Sequence, residues 1–415
     1  MRLNRHKRYT YYSSYSSSRR QKIRWDRIAI IVVGVVLVLG IVVWFQFSRI
    51  QLLWKGYSFS QQNQILSLES KAVDEILSHD QLTHISDWIE NSDQYMYYDE
   101  YENYLALHKD MEIKTVVATI NDMYTNYVPK LEAMSYSQEQ IWNVLKIAST
   151  TDLQYIIDKK YSYADMEPYM QVDGFVLSDM EDYIKAYNKS HNYHYEVLIT
   201  TYPFIDSQNK VNKNYTIQNP DNVLALVKPG FNMASSYEPK DLVTPQIPIA
   251  PDCNNPKLRK EASDALVSMY NDAKKEGYAL VINSAYRSYK NQKTIYDDYF
   301  KKYDEITASS LVAKPGSSEH QTGLGVDLTS ESVIKGEKLV FGDTPEYQWV
   351  LKNAHKYGFV LRYAEGRSDI TGIKHEPWHF RYVGKDAAKK IYENNWTLEE
   401  YCLNEGVIPQ IKEDK

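Results

Sequence analysis

The run Ser318-Glu319-His320-Gln321-Thr322-Gly323-Leu324-Gly325-Val326-Asp327 sets an imidazole and a carboxylate on either side of a glycine-rich turn. Zinc hydrolases need three protein donors of His or Asp/Glu type, an open position for water and a general base beside that water. Pro315, Gly316, Gly323 and Gly325 let the backbone turn tightly and approach other groups closely. A loop that enters a strand in this way can bring His320 and Asp327 to one point. Asp327 lies between Val326 and Leu328, and a carboxylate in an apolar strand is costly unless it is paired or metal-bound. A surface turn with an incidental histidine accounts for the spacing equally well.

A second candidate is His375-Glu376-Pro377-Trp378-His379, which satisfies H-E-x-x-H. On a helix that pattern puts both histidines on one face of a zinc site. Pro377 argues against the helix, because it removes a backbone donor and biases Glu376 to extended geometry. Trp378, Phe380 and Tyr382 then alternate with His379, Arg381 and Val383, which is strand period. On this reading His379 points into a site from a strand and His375 faces elsewhere. Glu376, beside the turn, is placed to act as a base. A third segment, Asn283 to Gln292, follows a short apolar run. Arg287 at that strand end can grip a carboxylate in bidentate fashion; standing alone, it reads more readily as a structural surface arginine. His355 falls on an expected helix over 344–357 and reads as a core-edge or exposed residue.

The elements that must hold these residues alternate between helix and strand. Pro256 is expected to open a helix with Leu258, Ala262, Ala265, Leu266, Met269 and Ala273 on its apolar face, and Gly277 sits where a left-handed cap belongs. Strands are expected over 278–284, near 325–328, over 359–363 and over 378–383. Helices are expected over 291–303 and from Thr344-Pro345, stopping at Gly358. The spacing is too irregular for regular βαβ units. It gives an α+β class with a small, mainly antiparallel sheet flanked by helices.

Three separated segments, in order, carry a resemblance. Tyr286-Arg287-Ser288, then Ser-x-His-x-x-Gly-x-small-x-Asp from Ser318 to Asp327, then Glu-x-x-His with a tryptophan before the histidine from Glu376 to His379, resemble the VanY-type D-alanyl-D-alanine carboxypeptidases. The same family includes L,D-carboxypeptidases and some phage endolysins. The resemblance covers residues 215–395, under half of the chain. Where the family often has alanine before the valine of the second segment, this sequence has Gly325. The resemblance implies Zn2+ held by His320, Asp327 and His379, with Glu376 as base and later proton donor. It implies that Arg287 binds the substrate carboxylate or the developing oxyanion, and that Ser318 and Gln292 contact substrate. The implied activity is removal of the C-terminal D-alanine from peptidoglycan stem peptides. L,D-carboxypeptidase action, endopeptidase action on the same fold and a non-catalytic wall-binding role are the alternatives.

The rest of the chain supplies context. Formal net charge is -6, yet residues 1–27 carry Arg2, Arg5, Lys7, Arg8, Arg19, Arg20, Lys22, Arg24 and Arg27 against Asp26 alone. The remainder is acidic without a large basic run, which gives no support for nucleic-acid binding. Ile28 to Phe47 is apolar apart from glycines and Gln46. As a helix it spans about 30 Å, one hydrocarbon core. Basic residues precede it, so residues 1–27 are expected to be a disordered cytoplasmic tail, 28–47 an uncleaved membrane helix, and all that follows extracellular. Residues 48–200 read as a helical spacer. Within it Tyr57-Ser58-Phe59-Ser60-Gln61 faintly echoes Tyr136-Ser137-Gln138, which allows two copies of a small helical unit. Proline-punctuated residues 201–252 read as a linker wrapping into the catalytic domain, 253–410. Cys253 and Cys402 open and close that domain; they can pair in an oxidising exterior or remain two free thiols.

Overall fold

The computed structural model of the chain describes residues 28–36, 47–305, 307–308 and 312–414. The basic segment 1–27 and residues 37–46 of the expected membrane helix lie outside the described residues. Residues 28–36 are helical, with Ile30, Ile31, Val33 and Val36 exposed. Among the described residues no helix is long and apolar enough to cross a membrane, so the span expected over 28–47 has no counterpart there.

Two compact units divide the chain, residues 1–153 and 154–415. The first is built of short helices whose starts are chemically marked. Ser58 and Ser137 each close a capping box, with Gln61 and Gln140 reaching back to the cap N–H. Ser162 and Asp165 repeat the device in the second unit. Each capping serine follows a tyrosine, and each tyrosine follows a residue at positive φ: Gly56, Ser135 and Lys160. Helices beginning at Phe59, Ser70, Ile85, Tyr98 and Ile113 are followed about 80 residues on by helices beginning at Gln138, Thr150, Tyr163, Met180 and Tyr193. Tyr57, Ile65, Ile76, Trp88, Tyr101, Ile120 and Met123 form the buried interior of the first unit.

The second unit holds the chemistry. Helix α1 (Lys260–Lys275) buries Ala262, Leu266, Met269 and Ala273, a stripe of helical period. It starts later than Pro256 suggests, because Leu258–Arg259 pair as a short strand with Leu242–Val243. Strand β1 (Leu280–Ser284) follows, then helix α2 (Tyr289–Lys302), whose cap Ser288 accepts from Asn291 N–H. Strand β2 (Gly325–Ser330) leads to helix α3 (Pro345–Asn353), capped by Thr344 with Pro345 at its first position. Strands β3 (Phe359–Leu361) and β4 (His379–Tyr382) complete the sheet, and helices α4 (Lys385–Asn394) and α5 (Leu398–Asn404) follow. The sheet order is β1-β2-β4-β3 and every pairing is antiparallel. The unit is therefore the expected α+β arrangement.

One face of that sheet is core. Ile282, Val326, Leu328, Phe359 and Phe380 pack with Leu266 and Met269 of α1 and Val350 of α3. Strand period then turns Asp327, His379 and Arg381 to the opposite face. A second core gathers Ile205, Phe231, Val360, Val383 and the inner faces of α4 and α5. Residues 215–217, 231–232 and 411–413 form a small separate sheet. The two thiols are free, Cys253 half-buried at the first core and Cys402 buried in the second.

Candidate active site

Sheet register assembles the centre of the site. Asp327 on β2 pairs with Ser284 on β1 and with His379 on β4, so the three residues form a row across neighbouring strands. The row depends on an irregularity: Ile282 pairs with Leu328 and Ser284 with Asp327, leaving Asn283 as an extra residue. A bulge of this kind re-aims the residue that follows it. Its consequence here is that Ser284 Oγ accepts from Arg287 Nη2 at 3.1 Å. His320 arrives from the turn before β2. Residues 319–322 form one 3₁₀ turn, and Gly323 ends it at φ +68, where a Cβ would meet Leu242 at 2.8 Å. Gly325 is required for a different reason. A Cβ there would lie 3.2 Å from His379 Cε1, so glycine lets the ring lie against the strand.

One donor atom from each of His320, Asp327 and His379 lies within 4.8 Å of the others, and all three residues are buried. His320 Nδ1 is 2.6 Å from the Ala285 carbonyl, which directs Nε2 to Asp327 Oδ2 at 3.3 Å. His379 Nδ1 is 2.9 Å from Asp327 Oδ1. Zinc held at 2.0–2.1 Å in a tetrahedron sets its donors about 3.3 Å apart, so an N, O, N donor set already within 4.8 Å can close around that ion. Burial pushes the Asp327 carboxyl up, but His320 and His379 outweigh it and hold it well below the usual carboxylate range. For His379 burial acts downward, yet its hydrogen bonds to Asp327 and Glu319 dominate and hold it up at about 10. Burial lowers His320.

The donors open onto a cavity of about 630 Å³ lined also by Arg287, Ser318, Tyr363, Glu376 and Trp378. Glu376 sits in the loop before β4, with its N–H on the Tyr363 carbonyl at 3.1 Å. Burial raises its pKa; His379 opposes that, Asp327 and Glu319 add to it, and Arg287 opposes it. Gln292 lies beneath Arg287, accepting from Nη1 at 2.8 Å and donating to the Ala313 carbonyl at 2.8 Å. Its amide is thus engaged on both sides, an arrangement that holds the guanidinium. His375 is exposed, bonded through Nδ1 to the Tyr363 carbonyl and away from the donor cluster. His355 stacks on Tyr392 at 3.8 Å and also lies outside the site.

Sequence reasoning overlooked two neighbours of the donors. Tyr363 stacks on His379 with centroids 4.9 Å apart. Glu319, adjacent to His320, turns its carboxylate to His379 Nε2 at 3.3 Å. The available signal for Glu319 was the pair Arg362 and Arg381, each set within an apolar strand and in need of a buried anion.

Residues 255–385 match the family described as VanY, D-alanyl-D-alanine carboxypeptidase. Over 194 residues the chain is 49% identical to YodJ of Bacillus subtilis (strain 168), provisionally a carboxypeptidase, covering 46% of this chain and 71% of that one. The chain belongs to the VanY family. It is accordingly a peptidase of carboxypeptidase type, in a family whose enzymes depend on zinc. Another VanY relative, a D-alanyl-D-alanine carboxypeptidase of Enterococcus faecalis, is 34% identical over 161 residues, 37% of this chain and 58% of that one. Among solved structures the LdcB LD-carboxypeptidase is 49% identical, spanning 46% of this chain and 89% of that chain, with a TM-score of 0.43.

Proposed function

We propose that this chain is a zinc-dependent D-alanyl-D-alanine carboxypeptidase that removes the terminal D-alanine from peptidoglycan stem peptides. The observation that carries the reading is the convergence of His320, Asp327 and His379 in a cavity that also receives Glu376 and Arg287. The family description and the Enterococcus faecalis relative support D-alanine as the residue released.

In this mechanism His320 and His379, as neutral imidazoles, and the Asp327 carboxylate would hold the ion. A zinc ion bound there would supply Lewis acidity, enough to bring the pKa of its water to about 7 and to polarise a carbonyl. Glu376 takes the water proton on its carboxylate and passes it to the departing amine. Arg287, steadied by Gln292 and Ser284, reads the free terminal carboxylate with its remaining N–H groups. Ser318 lines the same cavity wall, within reach of a bound peptide. The cavity buries the reacting groups, which strengthens each of these electrostatic contacts.

The test is to incubate the chain with defined tetra- and pentapeptide stems and weigh the products. Loss of one D-alanine from the pentapeptide is expected. Cleavage of the tetrapeptide alone assigns L,D specificity, and internal cleavage assigns an endopeptidase; either outcome sinks the D,D reading.

The apolar run 28–47 and its basic flank support a second part of the proposal, a single membrane anchor with the catalytic unit outside the cell. Protease added to intact protoplasts is expected to degrade the catalytic unit. Protection until lysis would refute that placement.

A further inference from the structure

We infer that Glu319 is a positioning residue for zinc: it holds the Nε2 proton of His379 and so leaves Nδ1 as the donor to the metal. The inference rests on the zinc reading above and adds to it a residue that contacts neither metal nor substrate.

The geometry is closed on every side. Glu319 Oε2 lies 3.3 Å from His379 Nε2, while Nδ1 of the same ring faces Asp327 at 2.9 Å. The other carboxylate oxygen, Oε1, accepts from Arg362 Nε and Arg381 Nη1, each at 2.8 Å. Those guanidiniums are fixed in turn. Arg362 donates through Nη1 and Nη2 to Glu399 at 2.9 and 2.7 Å, and Arg381 Nη2 donates to the Val223 and Ala225 carbonyls at 2.8 and 3.1 Å. The side chains of Glu319, Arg362, Arg381 and Glu399 are all fully buried. An ionised carboxylate only accepts hydrogen bonds. Arg362 and Arg381 keep Glu319 in that form, so the imidazole nitrogen facing it must carry a proton. In a neutral ring the other nitrogen then has the free lone pair, and that nitrogen faces Asp327. Metal-bound histidines are commonly fixed by a carboxylate on the far nitrogen, and loss of that partner typically weakens metal binding about 10–100-fold.

The network also ties the metal site to parts of the chain beyond residues 255–385. Val223 and Ala225 come from the segment before the catalytic domain, and Glu399 from α5. Glu319→Gln makes the argument sharp. Its amide oxygen would stay with the arginines, and its NH2 would face His379 Nε2. That donor requires Nε2 to accept, which moves the ring proton to Nδ1 and blocks the donor to zinc.

The test has two arms on the full-length chain. In the wild type labelled with 15N-histidine and loaded with zinc, the His379 signal, assigned by its loss in His379→Gln, should report a protonated Nε2 and a metallated Nδ1. Metal on Nε2 overturns the inference and leaves the zinc reading intact; no zinc bound overturns both. In the second arm Glu319→Gln, competing for zinc against a chromophoric chelator, should bind about 10–100-fold more weakly than wild type. Unchanged affinity overturns the inference. Should that variant fail to fold, the wild-type spectrum still decides.

Discussion

Glu376→Gln separates the base from everything else the site does. The substitution keeps the shape of a side chain on the cavity wall and leaves the three zinc donors untouched. A positioned base contributes about 10²–10⁴ in rate, or roughly 3–5 kcal/mol of transition-state stabilisation. Stability should move the other way. Burial raises the Glu376 pKa in the folded chain, with Asp327 and Glu319 adding to it. Between the unfolded and folded pKa values the folded state therefore binds more protons, and stability falls as pH rises through that window. Above that window the raised pKa is a cost to the folded state that glutamine does not carry. The metal-free variant should then unfold at the same urea concentration as wild type or a higher one, bind zinc within a few-fold, and release D-alanine about 10²–10⁴ times more slowly. Product mass with time gives the rate, chelator competition the affinity and fluorescence the unfolding midpoint. A variant that keeps activity within tenfold refutes the base assignment; one that loses zinc as well refutes the separation of roles.

Zinc loading should release about one proton at pH 7, because metal-free His379 is held up at about 10 and must become neutral to bind. Calorimetry in buffers of different ionisation enthalpy measures that number, and no release contradicts the ion pair with Asp327. Arg287→Lys keeps the charge but loses the planar fork; kcat/KM should fall about 10–100-fold on peptides with a free C-terminus and not on C-terminally amidated ones. Equal losses on both substrates contradict carboxylate recognition. Burial lowers Lys228 to about 8, with Glu399 opposing. Between about 8 and the ordinary 10.5 the unfolded state therefore holds more protons, and stability rises with pH by at most about 3 kcal/mol from this group. Lys228→Met should remove that rise from urea unfolding measured at pH 7.5 to 10, and an unchanged slope counts against it.

Local chemistry made much of the catalytic unit legible. Thr344-Pro345 announces the start of α3, and the alternation from Trp378 to Val383 announces β4. Pro377 excluded a helical H-E-x-x-H, and His375 accordingly sits apart from the donor cluster. Other features were hidden because they depend on distant pairing. Leu258 fits the helical stripe of α1, yet pairing with Val243 draws it into a strand. Nothing local marks Asn283 as the bulge that aligns Ser284 with Asp327. The direction of Gln292 could not be read either, since Arg287 and Ala313 fix its amide only after folding.

Glu319 shows why such charges escape a reading of sequence. A buried ion pair is weak evidence for stability, because removing its charges from water offsets most of their attraction. Two carboxylates and two guanidiniums with no exposed side-chain surface are therefore poorly explained as a stabilising device alone. Orientation accounts for them better. Arg362 and Arg381 fix one oxygen of Glu319, and the other oxygen fixes one nitrogen of His379. Breaking this chain at Arg381→Met leaves a buried acid short of one partner, a change of about 3–5 kcal/mol in stability. Replacing Glu319, Arg362, Arg381 and Glu399 together by well-packed apolar residues should restore much of that stability but not zinc affinity, because His379 would still lack its acceptor. If the quadruple variant regained both, the network would be a packing solution and not a support for the metal.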